Sequence, residues 1–531
     1  MRNGFAITAA IVVGVNLLLA SPAFAQKQGG TLRIYHRDDP PSASPVEEAT
    51  VSTNMPFMGV YSNLVLFDQT KNHASMATII PELATSWSWD AGQTKLTFKL
   101  REGVTWHDGK PFTAKDVQCT WNTLQGKTQD KLRKNPRKIW YENLKEVTVN
   151  GDLEATFELM RPQPSFLVLL ASGFSPVYPC HVAQKDMRTK PIGTGPFKFA
   201  EFKHNESVKL VRNPDYWRKG RPYVDAIEFR IIANRSTRLL AFTAGEFDMT
   251  FDSDISAPLL KDIKSQAPNA ICDFRPSNVP RNLLVNRDAP PFNDAKIRKA
   301  LALTIDRKTF IDILAEGKAD IGASMLPPPE GDWGMPAEML QTLPGYGTDV
   351  AKNQAEGRQI MESLGYGPDK LLKVKISTRN IEIYRDAAVL LIDQMKKIHV
   401  DGELEVVDTS IWFSKVARRD YTVGMNLTGA SVDDPDASLY ESYACKSERN
   451  YTNYCNPEVD KLIDQQSAEP DVDKRKKLVW EIERRVAEDV VKPVIFHDRA
   501  ATCWHPHVKG MVIHNNTLYS NWRFDEVWLE K

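Results

Sequence analysis

The chain carries no excess of charge of either sign: 68 Lys plus Arg are balanced by 68 Asp plus Glu. Without a polybasic surface it has no means of gripping a phosphate backbone or an anionic bilayer, so nucleic-acid and membrane-surface partners are not expected. Beyond its first two dozen residues it lacks any apolar run near the roughly 20 residues needed to span a bilayer. It lacks an internal repeat and a low-complexity linker, which excludes solenoids and beaded arrays. It also lacks a CxxC pair, a GxSxG elbow and an HExxH helix, so the common zinc and serine hydrolase signatures are missing.

What is present begins with MRNGFAITAAIVVGVNLLLASPAFA. One positive charge, an apolar stretch and Ala23-Phe24-Ala25 form a secretory signal over residues 1–25, with cleavage expected after Ala25. A membrane anchor is the rival reading, but Asn16 interrupts the run and the run ends early. No cysteine directly follows the apolar stretch, so a lipid anchor is not expected. The expected mature chain is soluble, periplasmic and exposed to an oxidising environment.

The remaining chain is long enough for two or three domains. Six cysteines in an exported protein suggest three disulfides, although six allow fifteen connectivities. Cys445 and Cys455 bracket the polar loop KSERNYTNY and are expected to pair. Cys119 and Cys180 fall in one N-terminal region and are a second candidate pair, which leaves Cys272 and Cys503.

Strand and helix patterns alternate throughout. TLRIYH (31–36) and TKLTFKL (94–100) alternate like strands. Lys145 to Leu159 reads as a hairpin turning at Asn150-Gly151, and Asp108-Gly109 suits a tight turn. NDAKIRKALALTIDRKTFIDIL has helical spacing behind an Asn293 cap, and EGRQIMESLGYG stops at Gly365. RDAAVLLIDQMKKI lies between strand-like LLKVKIST and ELEVVD, a β-α-β unit. NPEVDKLIDQQ and DKRKKLVWEIERRVAED read as amphipathic helices. The fold class is α/β with at least two lobes.

The run PELATSWSWDAGQTKLTFKLREGVTWHDGKPFTAKDV (81–117) resembles the signature of family 5 solute-binding proteins, the periplasmic dipeptide- and oligopeptide-binding group of ABC importers. Five further segments resemble that family in the same order. They are GTGPFKF at Gly193, RNPDYWRKGRPYVDAIEFR at Arg212, GEFD at Gly245, PPFNDAKIRKALALTIDR at Pro290 and YCNPEVDKL at Tyr454. The resemblance implies a two-lobed periplasmic-binding-protein (venus-flytrap) fold, cluster C type, with an extra subdomain inserted in lobe one. The implied boundaries are 26–70, 191–276 and 497–531 for lobe one, 71–190 for the insert and 277–496 for lobe two. The crossings near ICDFRP and HDRAATCW would place Cys272 beside Cys503 in the hinge. Within the signature, Pro81, Trp87, Trp106 and Asp108 read as core and turn residues. GTGP reads as a structural turn, since Pro196 removes an amide donor that a phosphate cradle would need.

The same resemblance nominates ligand residues. Family members clamp a peptide ammonium with an aspartate placed after a Gly-Trp pair, because a buried ammonium needs charge and hydrogen bonds together. Here the segment is LTGASVDDPDASLY: the expected position holds Ser431, the Trp is missing, and Asp433 or Asp434 are the carboxylates that could substitute. Arg379 stands near a position that grips a carboxylate in relatives. Trp412 matches a region that supplies aromatic pocket wall. Tyr35, His36 and Tyr61 could face the cleft from lobe one, since strand ends line such clefts. The implied function is capture of di- or oligopeptides by a monomer that delivers them to membrane permease subunits. A retuned solute (an opine, a sugar conjugate or a metal chelate) is the alternative. A zinc-dependent hydrolase built on His505-Pro506-His507 and His497 is a remote one. No cofactor and no catalytic residue are expected.

Overall fold

The computed structural model describes residues 26–429, 432–514 and 518–530; the signal segment 1–25 and Ser431 lie outside the described residues. Two sheets organise the two lobes. In the first, strands run in the order Thr31–His36, Ala226–Ile231, Ser207–Arg212 and Phe197–Lys203, with only the first pair parallel. Alternation in Thr31–His36 sends Leu32 and Ile34 into the core, each fully buried. The second sheet follows the path Ile271–Pro276, Val494–Trp504, Arg281–Val285, Val423–Leu427, Leu372–Arg379, Val400–Val407, with Ala319–Asp320 paired to Val494–Trp504. The β-α-β unit is there: Leu372–Arg379 and Val400–Val407 are parallel, and the helix Glu382–Met395 connects them.

The strand Val494–Trp504 is the chain's return path between the lobes. Its C-terminal half pairs with Ile271–Pro276, and its N-terminal half pairs with Arg281–Val285. Cys272 faces Cys503 in that register, and the two are bonded. Cys119–Cys180 and Cys445–Cys455 are the other two disulfides, and no described cysteine is free. Arg281 reaches across the crossing to grip Asp498 with contacts of 2.8 and 2.9 Å.

A four-stranded antiparallel sheet, in the order Ala84–Trp89, Lys95–Leu100, Glu154–Leu159, Leu144–Val149, carries the signature run and the hairpin. The helix Ala114–Leu124 packs on its hairpin strands. Its apolar residues merge with those of the first sheet in one cluster running from Leu32 through Trp121 and Phe157 to Leu529. A separate cluster around Leu283, Ile376 and Met425 fills the second lobe. Each such aliphatic side chain, fully removed from water, contributes about 1.5–3 kcal/mol.

Three of the motifs meet at one junction. The His107 amide donates to the Gly193 carbonyl (2.9 Å), and the Asn213 side chain donates to the Gly195 carbonyl (3.0 Å). A Cβ on Gly193 would lie 1.9 Å from the Val60 carbonyl oxygen, so only glycine fits there. GTGP is a close-packing turn, as its sequence suggested. One helix expectation changes: the 293–314 pattern is two helices, Ala295–Thr304 capped by Asp294 and Arg307–Ala315 capped by Asp306. Asn293 is not the cap, because the Asp294 carboxylate is the group that accepts from the Lys296 amide.

Candidate functional site

Between the lobes lies a cavity. Arg37, Thr50 and Val51 wall it from the first lobe, and Arg379, Tyr384 and Phe413 from the second. Ser253, Ser277, Asp498 and Ala500 contribute from the crossing, and Tyr519 from the C-terminal segment.

Arg379 ends the strand Leu372–Arg379, whose last four residues are all buried because the strand tip points into the cleft. Its guanidinium crosses to the other lobe and donates to Asp38 Oδ2 at 2.7 Å. Further donations go to Thr409 Oγ1 (2.8 Å) and Tyr384 OH (2.9 Å). Burial alone would raise the Asp38 carboxyl, but Arg379, His36 and Arg37 pull it down to about 2. Arg37 stacks over Phe251 at 4.7 Å, with Asp254 at 3.6 Å, and its Nε has no hydrogen-bond partner although the residue is buried.

The lobes also touch away from the cavity. Trp140 donates to the Ala437 carbonyl (3.3 Å), Gln163 donates to Asp436 (2.9 Å), and Arg161 donates to Asp464 (2.8 Å). These contacts join residues of the small antiparallel unit to the helices Pro435–Tyr443 and Pro457–Ala468, so the described arrangement is closed.

Of the residues nominated from sequence, Arg379 is the described one that lines this cavity. Tyr35 is buried in its sheet and donates to Asp254 at 3.1 Å. His36 is buried beside the Ser52 carbonyl (3.0 Å), and burial lowers its pKa. Tyr61 donates to the Ala43 carbonyl (2.9 Å) and stacks on Tyr178 with ring centroids 5.2 Å apart. Trp412 packs with Leu284, Val416 and Tyr421 in a small core, while the next residue, Phe413, reaches the cavity. Asp434 caps the helix Pro435–Tyr443 and is held by both Nη atoms of Arg475 (2.9 and 2.6 Å), which occupies it structurally. Asp433 is pushed up to about 7 by burial first, then by the neighbouring Asp332 and Asp434 carboxylates. Its carboxylate, Asp332 and His73 hold one ligand atom each within 4.8 Å of one another.

His505 and His507 are both engaged. His505 Nε2 lies 2.9 Å from the Phe242 carbonyl, and His507 Nε2 lies 2.8 Å from Asp248. His497 bridges the Ser277 and Ala323 carbonyls (3.1 and 3.0 Å). Three separate assignments of the imidazoles leave no shared metal position among them. Arg37, Tyr384, Phe413 and Tyr519 were missed from sequence. A signal existed for the first, which directly follows the strand that was correctly read.

The family model for the middle region of bacterial extracellular solute-binding proteins, family 5, matches residues 78–450. The chain belongs to that family. Family 5 membership fits the architecture above, a two-lobed periplasmic-binding-protein fold with mixed α/β lobes. The oligopeptide-binding protein AppA of Bacillus subtilis is 26% identical over 501 residues, covering 89% of this chain and 86% of that protein. The periplasmic murein peptide-binding protein MppA of Escherichia coli is 25% identical over 556 residues, covering 97% of each. Among solved structures, Haemophilus influenzae OppA in complex with the peptide RPPGFSPFR superposes with a TM-score of 0.84 at 22% identity, covering 95% of this chain and 99% of that one. The family is one of extracellular solute-binding proteins, and the two curated relatives are named as peptide-binding proteins. No helix among the described residues is long and apolar enough to cross a membrane.

Proposed function

We propose that this protein is the periplasmic binding component of an ABC importer and captures short peptides between its lobes. The observation that carries the reading is a cavity walled from both lobes, with Arg379 of one lobe hydrogen-bonded to Asp38 of the other across it. A solute touching both walls binds the closed state preferentially, and that difference drives closure. The cavity offers guanidinium groups for a carboxylate and the aromatic faces of Tyr384, Phe413 and Tyr519 for side chains. The relatives' names, which speak of oligopeptides and a murein peptide, support peptides as the solute class. The protein works as a secreted monomer, performs no chemistry on its ligand and hands it to membrane permease subunits, with ATP hydrolysed elsewhere.

The test is thermal unfolding of the disulfide-intact mature protein, stripped of solute by denaturation and refolding, with and without a pool of di- to pentapeptides. Ligand at 100 times its Kd stabilises the folded state by about 2.7 kcal/mol. A raised midpoint, with the peptide recovered unchanged, supports the reading. A protein that refolds cooperatively but shows no shift binds another solute class, such as an opine, a sugar conjugate or a metal chelate.

A further inference from the structure

A second, small pocket opens at the hinge beside the cleft. Ser253, Ser277, Ala500 and Leu518 line both, so the two pockets adjoin. Its wall concentrates buried polar atoms without hydrogen-bond partners. Asp252 Oδ1 accepts from Thr502 (2.8 Å) and Ser253 (3.1 Å), but Oδ2 is unpartnered on a residue only 2% exposed. Asn278 is 5% exposed and leaves both its amide oxygen and its amide nitrogen unpartnered. His514 is 4% exposed; its Nε2 lies 3.2 Å from the Asp68 carbonyl, so Nε2 carries the proton and the unpartnered Nδ1 offers a lone pair. Orphaned buried polar groups of this kind are rare and costly, and they cluster where a ligand or an ordered water completes them.

The inventory has a sign. Asp252 Oδ2, Asn278 Oδ1 and His514 Nδ1 are three acceptors, against one donor at Asn278 Nδ2. The cavity's charged lining is Asp252, Asp273 and Arg275, and the last two form an ion pair with each other. The balance is therefore one negative charge with a surplus of acceptors, which matches a group that is cationic and rich in N–H donors.

We propose that Asp252, Asn278 and His514 form a hinge subsite for a protonated amine of the bound solute. This rests on the cleft being the solute site. It assigns the ammonium to a carboxylate from the lobe-one side of the crossing, not to the 431–434 segment, where Asp434 is already held by Arg475. An extended solute would then place its amine at the hinge and its opposite end toward Arg37 and Arg379, which favours zwitterions over neutral or purely anionic ligands. Burial pushes the Asp252 carboxyl up to about 6, with Asp254 adding to the rise while Thr502, Ser253 and Arg37 lower it. At neutral pH and above the group is ionised and available to a cation.

Two measurements test the subsite. The first is calorimetric titration of a binding peptide and its N-acetylated form into the wild type, Asp252→Asn and Asn278→Leu. N-acetylation is expected to weaken binding to the wild type by about tenfold or more. That penalty should shrink markedly in Asp252→Asn, whose amide still accepts from Thr502 and Ser253, and in Asn278→Leu. An acetylation penalty of the same size in wild type and variants overturns the subsite while leaving peptide capture intact. The second measurement does not depend on peptides: crystals are soaked in butylammonium chloride above neutral pH. An ammonium nitrogen at hydrogen-bonding distance from Asp252 and Asn278 supports the subsite even if no peptide binds. Water alone in the cavity, or an adventitious additive only that persists unchanged in Asp252→Asn, overturns it.

Discussion

Replacing Arg379 with Met should open the protein. Arg379 is 3% exposed and is hydrogen-bonded to Asp38 of the facing lobe at 2.7 Å. Despite burial, the Asp38 carboxyl is held near 2 instead of its ordinary 3.8. A drop of about two units corresponds to roughly 2–3 kcal/mol in favour of the ionised form. The Arg379 part of that preference exists only while the lobes are together, so it is closure free energy. Removing the guanidinium also strands a buried carboxylate, and breaking a buried pair costs about 3–5 kcal/mol. A loss of even 2 kcal/mol shifts a two-state closure equilibrium about thirtyfold toward the open form. Spin labels on exposed positions of the two lobes would report this as a longer distance distribution in pulsed dipolar spectroscopy. Thermal melts would confirm that the variant remains folded. Adding Asp38→Asn to Arg379→Met should restore part of the closed population, because it removes the unpaired charge. The sign with pH follows from the lowered pKa: the contribution is complete above about pH 3.8 and is lost as pH falls through about 2. An unchanged distance distribution in Arg379→Met, or a double variant as open as the two single effects summed, would refute the clasp.

Glu483 is fully buried, with Oε2 unpartnered, and burial pushes its carboxyl from 4.5 up to about 8. The folded state then binds a proton that the unfolded chain has released, so this group costs stability increasingly as pH rises from about 4.5 through 8. Glu483→Gln should stabilise by about 3 kcal/mol at pH 7 and by little at pH 4; melts showing an equal gain at both would contradict this. The bond Cys272–Cys503 spans 231 residues and Cys445–Cys455 spans 10. Chain-entropy reasoning assigns about 5 and about 3 kcal/mol to such loops, so paired Ser substitutions followed by urea unfolding should rank the hinge bond first. The reverse order would count against loop entropy as its main contribution. Gly193→Ala forces a methyl against the Val60 carbonyl, 1.9 Å away, and should cost about 2–4 kcal/mol. An unaltered melting temperature would show that the turn relaxes.

The elements that could be read in the sequence are those whose own residues encode them. The hairpin Leu144–Val149 with Glu154–Leu159 was legible because alternation on both sides converges on Asn150-Gly151. The β-α-β unit was legible from a switch of period. The 293–314 segment read as one helix because its apolar spacing continues across Ile305-Asp306, although Asp306 restarts the helix by accepting from the Thr309 amide. An aspartate inside an amphipathic run looks like a solvated surface residue unless its cap geometry is seen. The family resemblance put the small antiparallel unit in lobe one, but no local pattern announced that the two share one apolar cluster. That cluster collects residues from Leu32 to Leu529, which no local window of sequence contains.

The cleft was harder for a related reason. Periodicity reports which face of an element turns inward, but a cavity wall and a solid core are both inward. Trp412 and Phe413 are adjacent on one helix, about 100° apart around its axis; the first entered the core and the second the cavity. Tyr35 and His36 sit where alternation fails, since Ile34, Tyr35 and His36 are all buried at the strand end. The cleft begins one residue later, at Arg37. Asp434 before Pro435 carried the signature of a helix cap, and the structure uses it as one, anchored by Arg475 forty-one positions downstream with nothing local to announce it. The proposed hinge subsite combines position 278, on the first pass of the chain between the lobes, with 252 from before that pass and 514 from after the return strand. Such a site leaves a sequence trace only where the crossing itself is marked, and here the mark was the pair of cysteines left over once the other four had local partners. Cys272 and Cys503 fix where the two passes run side by side. Asp252, Asn278 and Thr502 all lie in or near those passes, so the disulfide joins the two strands that flank the proposed amine subsite.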